Sequence, residues 1–110
     1  MKYEVKNNDL FTVVEVQEAR FDAKLAPMFR QSIEDIQVDI KPNLLLDLSS
    51  VTFMDSSGLG AVMAVYKLLR DRQIAIVGAR QPVRELLKLT RMDRLVKTFD
   101  TVEDAMTASA

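Results

Sequence analysis

Two short apolar runs, "LLLDL" at 44–48 and "IAIVG" at 74–78, constrain this chain more than any other feature. Each is bounded by turn residues, Pro42-Asn43 ahead of the first and Gly78 closing the second. Neither shows the polar alternation of a strand with one wet face. Such runs read as strands covered on both sides, the habit of parallel sheets. Parallel neighbours need a crossover, and the segment between them carries one: an apolar stripe of Leu59, Val62, Met63, Tyr66 and Leu69 at helical spacing. The pattern predicts a helix from Ser56 to Arg72, with Lys67, Arg70, Asp71 and Arg72 toward its outer face and end.

The flanks extend the same plan. Residues 3–7 and 10–16 are β-rich and enclose Asn7-Asn8-Asp9, which predicts a hairpin. After "QEARFD", Leu25, Phe29, Ile33 and Ile36 recur at steps of three or four, and Pro27 falls near the first turn, where a missing amide costs little. Pro82 opens a helix over 82–90 that buries Val83, Leu86 and Leu87. Residues 95–99 ("LVKTF") predict a last short strand. Asp100 or Thr101 then caps a closing helix through Val102, Ala105 and Met106. The whole is an α/β chain, one domain over 1–110, with a mixed sheet of about four to five strands, about four helices on its faces and right-handed crossovers.

Composition narrows the chemistry. With no histidine there is no imidazole base, and with no cysteine no thiolate nucleophile or zinc-thiolate site. A hydrolase would have to use lysine or carboxylate as its base, a minority solution, so the chain is expected not to be an enzyme, and no catalytic residue, cofactor or metal is expected. The net charge of −1, scattered basic residues and 6% aromatic content argue against nucleic acid. No apolar stretch approaches a membrane span, and "MKYEVKNND" lacks the apolar core of a signal peptide. A cytoplasmic protein with no membrane contact, monomeric when free, is expected.

Between the two buried strands stands "FMDSSGLG" at 53–60. Four readings compete. In the first, Asp55 or a serine caps the helix, while Gly58 and Gly60 let it sit close to the sheet. In the second, the glycines cradle a phosphate, but Met63 stands where G-x-G-x-x-G needs its third glycine and no G-x-x-x-x-G-K follows. In the third a serine is a nucleophile, yet Met54 and Asp55 stand two residues before Ser56 and Ser57, where the G-x-S-x-G elbow has glycine. In the fourth a serine receives a phosphate, at a helix start where free amides and the helix dipole favour anions.

The run "LLLDLSSVTFMDSSGLG" (44–60) resembles the signature of STAS domains, specifically the bacterial anti-sigma factor antagonists. The likeness extends to the hairpin and to "RELLKLTRMDRLVKTFDTVEDAM" downstream. The resemblance implies a STAS-like domain that is a phosphorylation-switched binding module. Its acceptor is the serine directly after the motif aspartate, here Ser56. Its donor is an anti-sigma factor that is also a serine kinase, and a metal-dependent serine phosphatase reverses the mark. Unphosphorylated, it binds the anti-sigma factor and frees the sigma factor. The implied docking residues are Asp22, Asp55, Ser56, Ser57, Gly58 and Leu59. Asp22 matches an aspartate of a Gly-acid-Leu-Asp pattern, with Ala19, Arg20 and Phe21 departing from the other three positions. Arg91 stands where the family often has glycine. A plain helix cap remains the alternative for Asp22.

Two other functions stay open at this point. One is a two-component receiver phosphorylated on Asp47, against a purely structural strand-end role for that residue. The other is a STAS subunit of a lipid-transport ABC system, which would dock on an ATPase whatever its phosphorylation.

Overall fold

Leu44, Leu45 and Leu46 are all buried although neighbours in a strand point to opposite faces, so the centre of the sheet is covered on both sides. The computed structural model describes residues 1–109. In chain order its strands are β1 (Tyr3–Asn7), β2 (Phe11–Val16), β3 (Arg20–Phe21), β4 (Asn43–Asp47), β5 (Phe53–Met54), β6 (Gln73–Val77) and β7 (Lys97–Phe99). The helices are α1 (Leu25–Ile36), α2 (Ser56–Leu68), α3 (Gln81–Leu89) and α4 (Val102–Ser109).

The main sheet runs β1-β2-β4-β6-β7, with β1 antiparallel to β2 and every other pair parallel. The expected mixed sheet with four helices is thus present. Register sorts the side chains into two layers. Val14, Leu46 and Ile76 lie in one row and pack with Phe29, Ile33, Val62, Val65, Val83 and Leu87 of α1, α2 and α3. Leu45, Ala75 and Val77 face the other way, where α4 alone supplies Ala105, with Val102 and Met106 half-buried beside it. Asn8 closes the hairpin by accepting from the amides of Leu10 and Phe11 at 3.0 and 2.8 Å. Thr101, rather than Asp100, caps α4, its Oγ1 accepting from the Asp104 amide at 3.0 Å.

Three expectations need correction. Helix α2 ends at Leu68 rather than Arg72, because Leu69 leaves helical geometry (φ −110, ψ 46). The Arg72 amide then donates back to the Leu69 carbonyl, and Gln73 donates to Pro42 to start β6. The fully buried stripe of α2 and the turn after it is Gly58, Ala61, Val62, Val65 and Leu69, while Leu59, Met63 and Tyr66 are only half-buried. Small residues face the tightest contacts, where α2 packs on α1 and on β5. The last strand spans 97–99 instead of 95–99. The amides of Leu95 and Val96 are committed to the Met92 carbonyl in a 3-10 turn over 92–94, so they cannot join the ladder.

Arg91 sits in the left-handed region at φ 60, ψ 19, just past the end of α3. A side chain there costs roughly 1–2 kcal/mol, and glycine would avoid that while losing more unfolded-state entropy. Arg91→Gly should therefore stabilise the fold by about 0.5–1 kcal/mol. Denaturant titration with an unchanged m value would establish it; a destabilised variant would contradict it.

Candidate functional site

Neither "RF" nor "FM" is long enough to announce a strand, yet β3 and β5 form a two-stranded parallel sheet apart from the main one. Arg20 aligns with Phe53 and Phe21 with Met54. The Ala19 carbonyl accepts from the amides of Thr52 and Phe53 at 2.8 and 3.2 Å, and the Phe21 carbonyl from the Asp55 amide at 3.4 Å. Phe21 is buried and meets Phe29 edge-on, ring centroids 4.9 Å apart, which ties this small sheet to α1. The pairing draws the start of α1 and the start of α2 onto one face. Asp22 and Asp55, distant in sequence, each follow a strand of the pair directly.

Asp55 is the cap of α2. It is extended (φ −114, ψ −171), and its Oδ1 accepts from the amides of Ser57 and Gly58 at 2.9 and 3.1 Å. The Leu59 amide is taken by the Asp55 carbonyl at 3.0 Å. Two of the free amides expected at this helix start, those of Ser57 and Gly58, are therefore already occupied by a carboxylate of the chain itself. Ser56, the first helical residue, is exposed; Ser57 and Leu59 are half-buried. Gly58 is buried and presents no surface of its own. A Cβ there would stand 2.3 Å from the Phe21 carbonyl oxygen, so Gly58 shapes the face from beneath. Gly60 makes no such approach: a Cβ on it would meet nothing within 4 Å. The expectation that both glycines serve close packing holds for Gly58 alone.

Asp22 caps the turn that leads into α1. Its Oδ1 accepts from the amides of Lys24 and Leu25 at 3.1 and 3.2 Å, and its Oδ2 lies 3.5 Å from Arg20 Nε. The bond from the Leu25 amide does most to hold its carboxyl below the ordinary 3.8; partial desolvation opposes this, and the Lys24 amide and Arg20 add to it. A depressed carboxyl contributes stability that is present above the unfolded pKa and lost as pH falls through the folded one. Thermal melts below pH 3.8 should accordingly show an acid-side loss that is reduced in Asp22→Ala. Identical acid limbs in the two proteins would contradict it.

Nothing in the sequence marks Arg20 and Phe53 as a pair. The Arg20 guanidinium carbon sits 4.3 Å from the centroid of the Phe53 ring. No periodicity links residues so far apart, and only the β3–β5 pairing brings them together. Asp47 ends β4 half-buried, and its Oδ1 accepts from the Ser49 amide at 3.0 Å, which bends the chain out of the strand. That is the structural role expected of a strand-end aspartate.

The family model of the STAS domain matches residues 2–105 of this fold. The chain belongs to the STAS family. Among its STAS relatives is the anti-sigma-B factor antagonist of Listeria monocytogenes serovar 1/2a. The two are 30% identical over 96 residues, which is 86% of this chain and 84% of the relative. A crystal structure of an anti-sigma factor antagonist from Mycobacterium paratuberculosis is similar at a TM-score of 0.86 and 34% identity, covering 97% of this chain and 92% of that one. The Bacillus cell fate determinant SpoIIAA, solved in its phosphorylated form, matches at a TM-score of 0.72 over 99% of this chain and 100% of its own. At 15% identity that likeness speaks for the STAS fold alone. Membership in the STAS family displaces the receiver alternative built on Asp47. Among the described residues, no helix is long and apolar enough to cross a membrane.

Proposed function

We propose that this chain is an anti-sigma factor antagonist, a single domain over 1–110 that binds a protein partner and is switched by phosphate on Ser56. The observation that carries the reading is the exposed Ser56 hydroxyl on the first turn of a capped helix, beside Asp22, in a chain whose well-covered relatives are named as such antagonists. The docking face comprises Asp22, Asp55, Ser56, Ser57 and Leu59, with Gly58 beneath them. The domain is the kinase's substrate and does no catalysis itself. The partner, an anti-sigma factor with serine kinase activity, supplies nucleotide, magnesium and base, so Asp55 is free to remain a cap. A metal-dependent phosphatase removes the phosphate. The protein works in the cytoplasm, as a monomer when free.

The test pairs two measurements on the purified chain with each anti-sigma factor kinase of the same organism. Calorimetry should find one that binds the unphosphorylated protein. Fragment mass spectra after incubation with ATP should then place a single phosphate on Ser56. Phosphate chiefly on Ser57 or Asp47 would sink the assignment. Capture by a membrane ATPase regardless of phosphorylation would favour a transport subunit instead.

A further inference from the structure

Beside the serine, the same face carries an arginine that is exposed and yet held in place. The Arg20 side chain is 64% exposed. A free surface arginine samples many rotamers, and ordering it on binding costs affinity. Here three features limit that freedom. The backbone is pinned by the Arg20–Phe53 register, the guanidinium lies over the Phe53 ring at 4.3 Å, and Nε faces Asp22 Oδ2 at 3.5 Å. Asp22 meets the fork at Nε and is the only carboxylate paired with Arg20 among the described residues, which leaves donors of the fork for a second carboxylate.

The surroundings set the sign and shape of what fits. Asp22 already serves two backbone amides as well as Arg20, and the Glu18 carboxylate accepts from the Lys2 amide at 2.7 Å. Lys24 is exposed and in no ion pair among the described residues. Formal charges at this spot balance, Arg20 and Lys24 against Glu18 and Asp22. Both carboxylates already accept backbone amides, while the two cations keep donors with no partner among the described residues, so the unmatched groups are cationic donors. Next to it lies an open hollow of about 540 Å³, whose apolar wall is Met1, Ala19, Leu25 and the 52% exposed Met28. Pre-ordered arginine against an aromatic ring, flanked by flexible methionine, is the composition of energetic centres in protein interfaces.

We propose that Arg20, braced on Phe53, is a specificity-determining residue that pairs with a carboxylate of the partner protein, whose adjoining apolar side chain seats in the Met1–Leu25–Met28 hollow. The inference rests on the reading of this face as the partner-binding face and adds what the partner must present to it: an acidic residue next to an apolar one. The planar fork matters as well as the charge, because a lysine could neither stack on Phe53 nor bind a carboxylate through two parallel bonds.

The experiment uses the full chain and the purified anti-sigma factor found by calorimetry to bind its unphosphorylated form. Arg20→Ala should weaken binding about tenfold, and Arg20→Glu, which places like charges together, about a hundredfold. Arg20→Lys and Phe53→Leu should fall near Arg20→Ala, and Met28→Asp should weaken binding through the hollow. Thermal melts and amide spectra should stay close to those of the unchanged chain, as expected for an exposed side chain. The deciding arm is a charge swap: reversing acidic residues of the partner singly to arginine, one of them should restore binding to Arg20→Glu while weakening binding to the unchanged chain. Arg20→Glu binding within threefold of the unchanged chain, or no rescue by any reversal, would overturn the inference. If Ser56→Asp still weakens binding in that case, the docking reading survives and only the role of Arg20 falls. If no anti-sigma factor binds the unchanged chain, the docking reading itself fails and takes this inference with it.

Discussion

Gly58→Ala should lower the stability of this STAS domain by about 3 kcal/mol, at the upper end for an added methyl group in a packed site. For a chain of this size that corresponds to a fall in melting temperature of roughly 10–20 °C. The new Cβ would stand 2.3 Å from the Phe21 carbonyl oxygen, 2.9 Å from the Phe21 ring and 3.0 Å from Met54 Cγ. Of these the carbonyl is the decisive neighbour. It is backbone, and it is held by the Asp55 amide and by the β3–β5 pairing, so it cannot swing aside as a side-chain tip would. The helix start must instead lift away from β3, and Ser56 and the Asp55 cap move with it. Gly60→Ala supplies the control. Nothing lies within 4 Å of its new methyl, so exchanging a helical glycine for alanine should stabilise by about 0.5–1 kcal/mol. Denaturant unfolding of both variants checks the pair; equal effects of the same sign would show that the Phe21 contact is not what Gly58 is for.

Phosphate on Ser56 should weaken partner binding by about a hundredfold or more while leaving the free domain in place. The phosphate adds roughly −1.5 to −2 charges. It arrives at a helix start whose Ser57 and Gly58 amides already face the Asp55 carboxylate. It therefore has no vacant pair of those amides to settle into, and it stays outward, next to a like charge. In the free protein water screens this at small cost. In a complex the group is desolvated, and misplaced like charge at an interface costs several kcal/mol, with each 1.4 kcal/mol worth about tenfold in affinity. Ser56→Asp carries a single charge on a shorter side chain and should weaken binding less than phosphate does; Ser56→Ala should bind persistently. Calorimetry with the partner, alongside amide spectra of the free domain in both states, is the measurement. Affinity indifferent to phosphate, or spectral change spread far beyond residues 20–30 and 53–62, would exclude a charge gate at this face.

Much of the fold was legible because its signals are local and periodic. The buried runs at 44–48 and 74–78 appear as β4 and β6, each shifted by one residue, and the step pattern from Leu25 appears as α1. Asp55 as a cap needed only its position before the first helical residue. The stripe of α2 differs from its sequence pattern for a physical reason: large side chains mark a helix face, whereas Gly58 and Ala61 are small enough to be buried at the contacts. At the end of α3 the sequence does carry a sign, an arginine at position 91 where the family often has glycine, and the left-handed backbone there gives its physical reason.

The candidate site divides along the same line. Sequence alone determined which residues are candidates for chemistry, since an aspartate-serine pair opening a helix is a statement about neighbours in the chain, and the absence of histidine and cysteine is a matter of composition. What only the tertiary structure decided is their assembly. The alignment of Arg20 with Phe53 brings Asp22 beside the start of α2, sets a guanidinium over a ring and presses Gly58 against the Phe21 carbonyl. Two-residue strands have no period to read, and a pairing across about thirty residues is selected by the packing of everything between them.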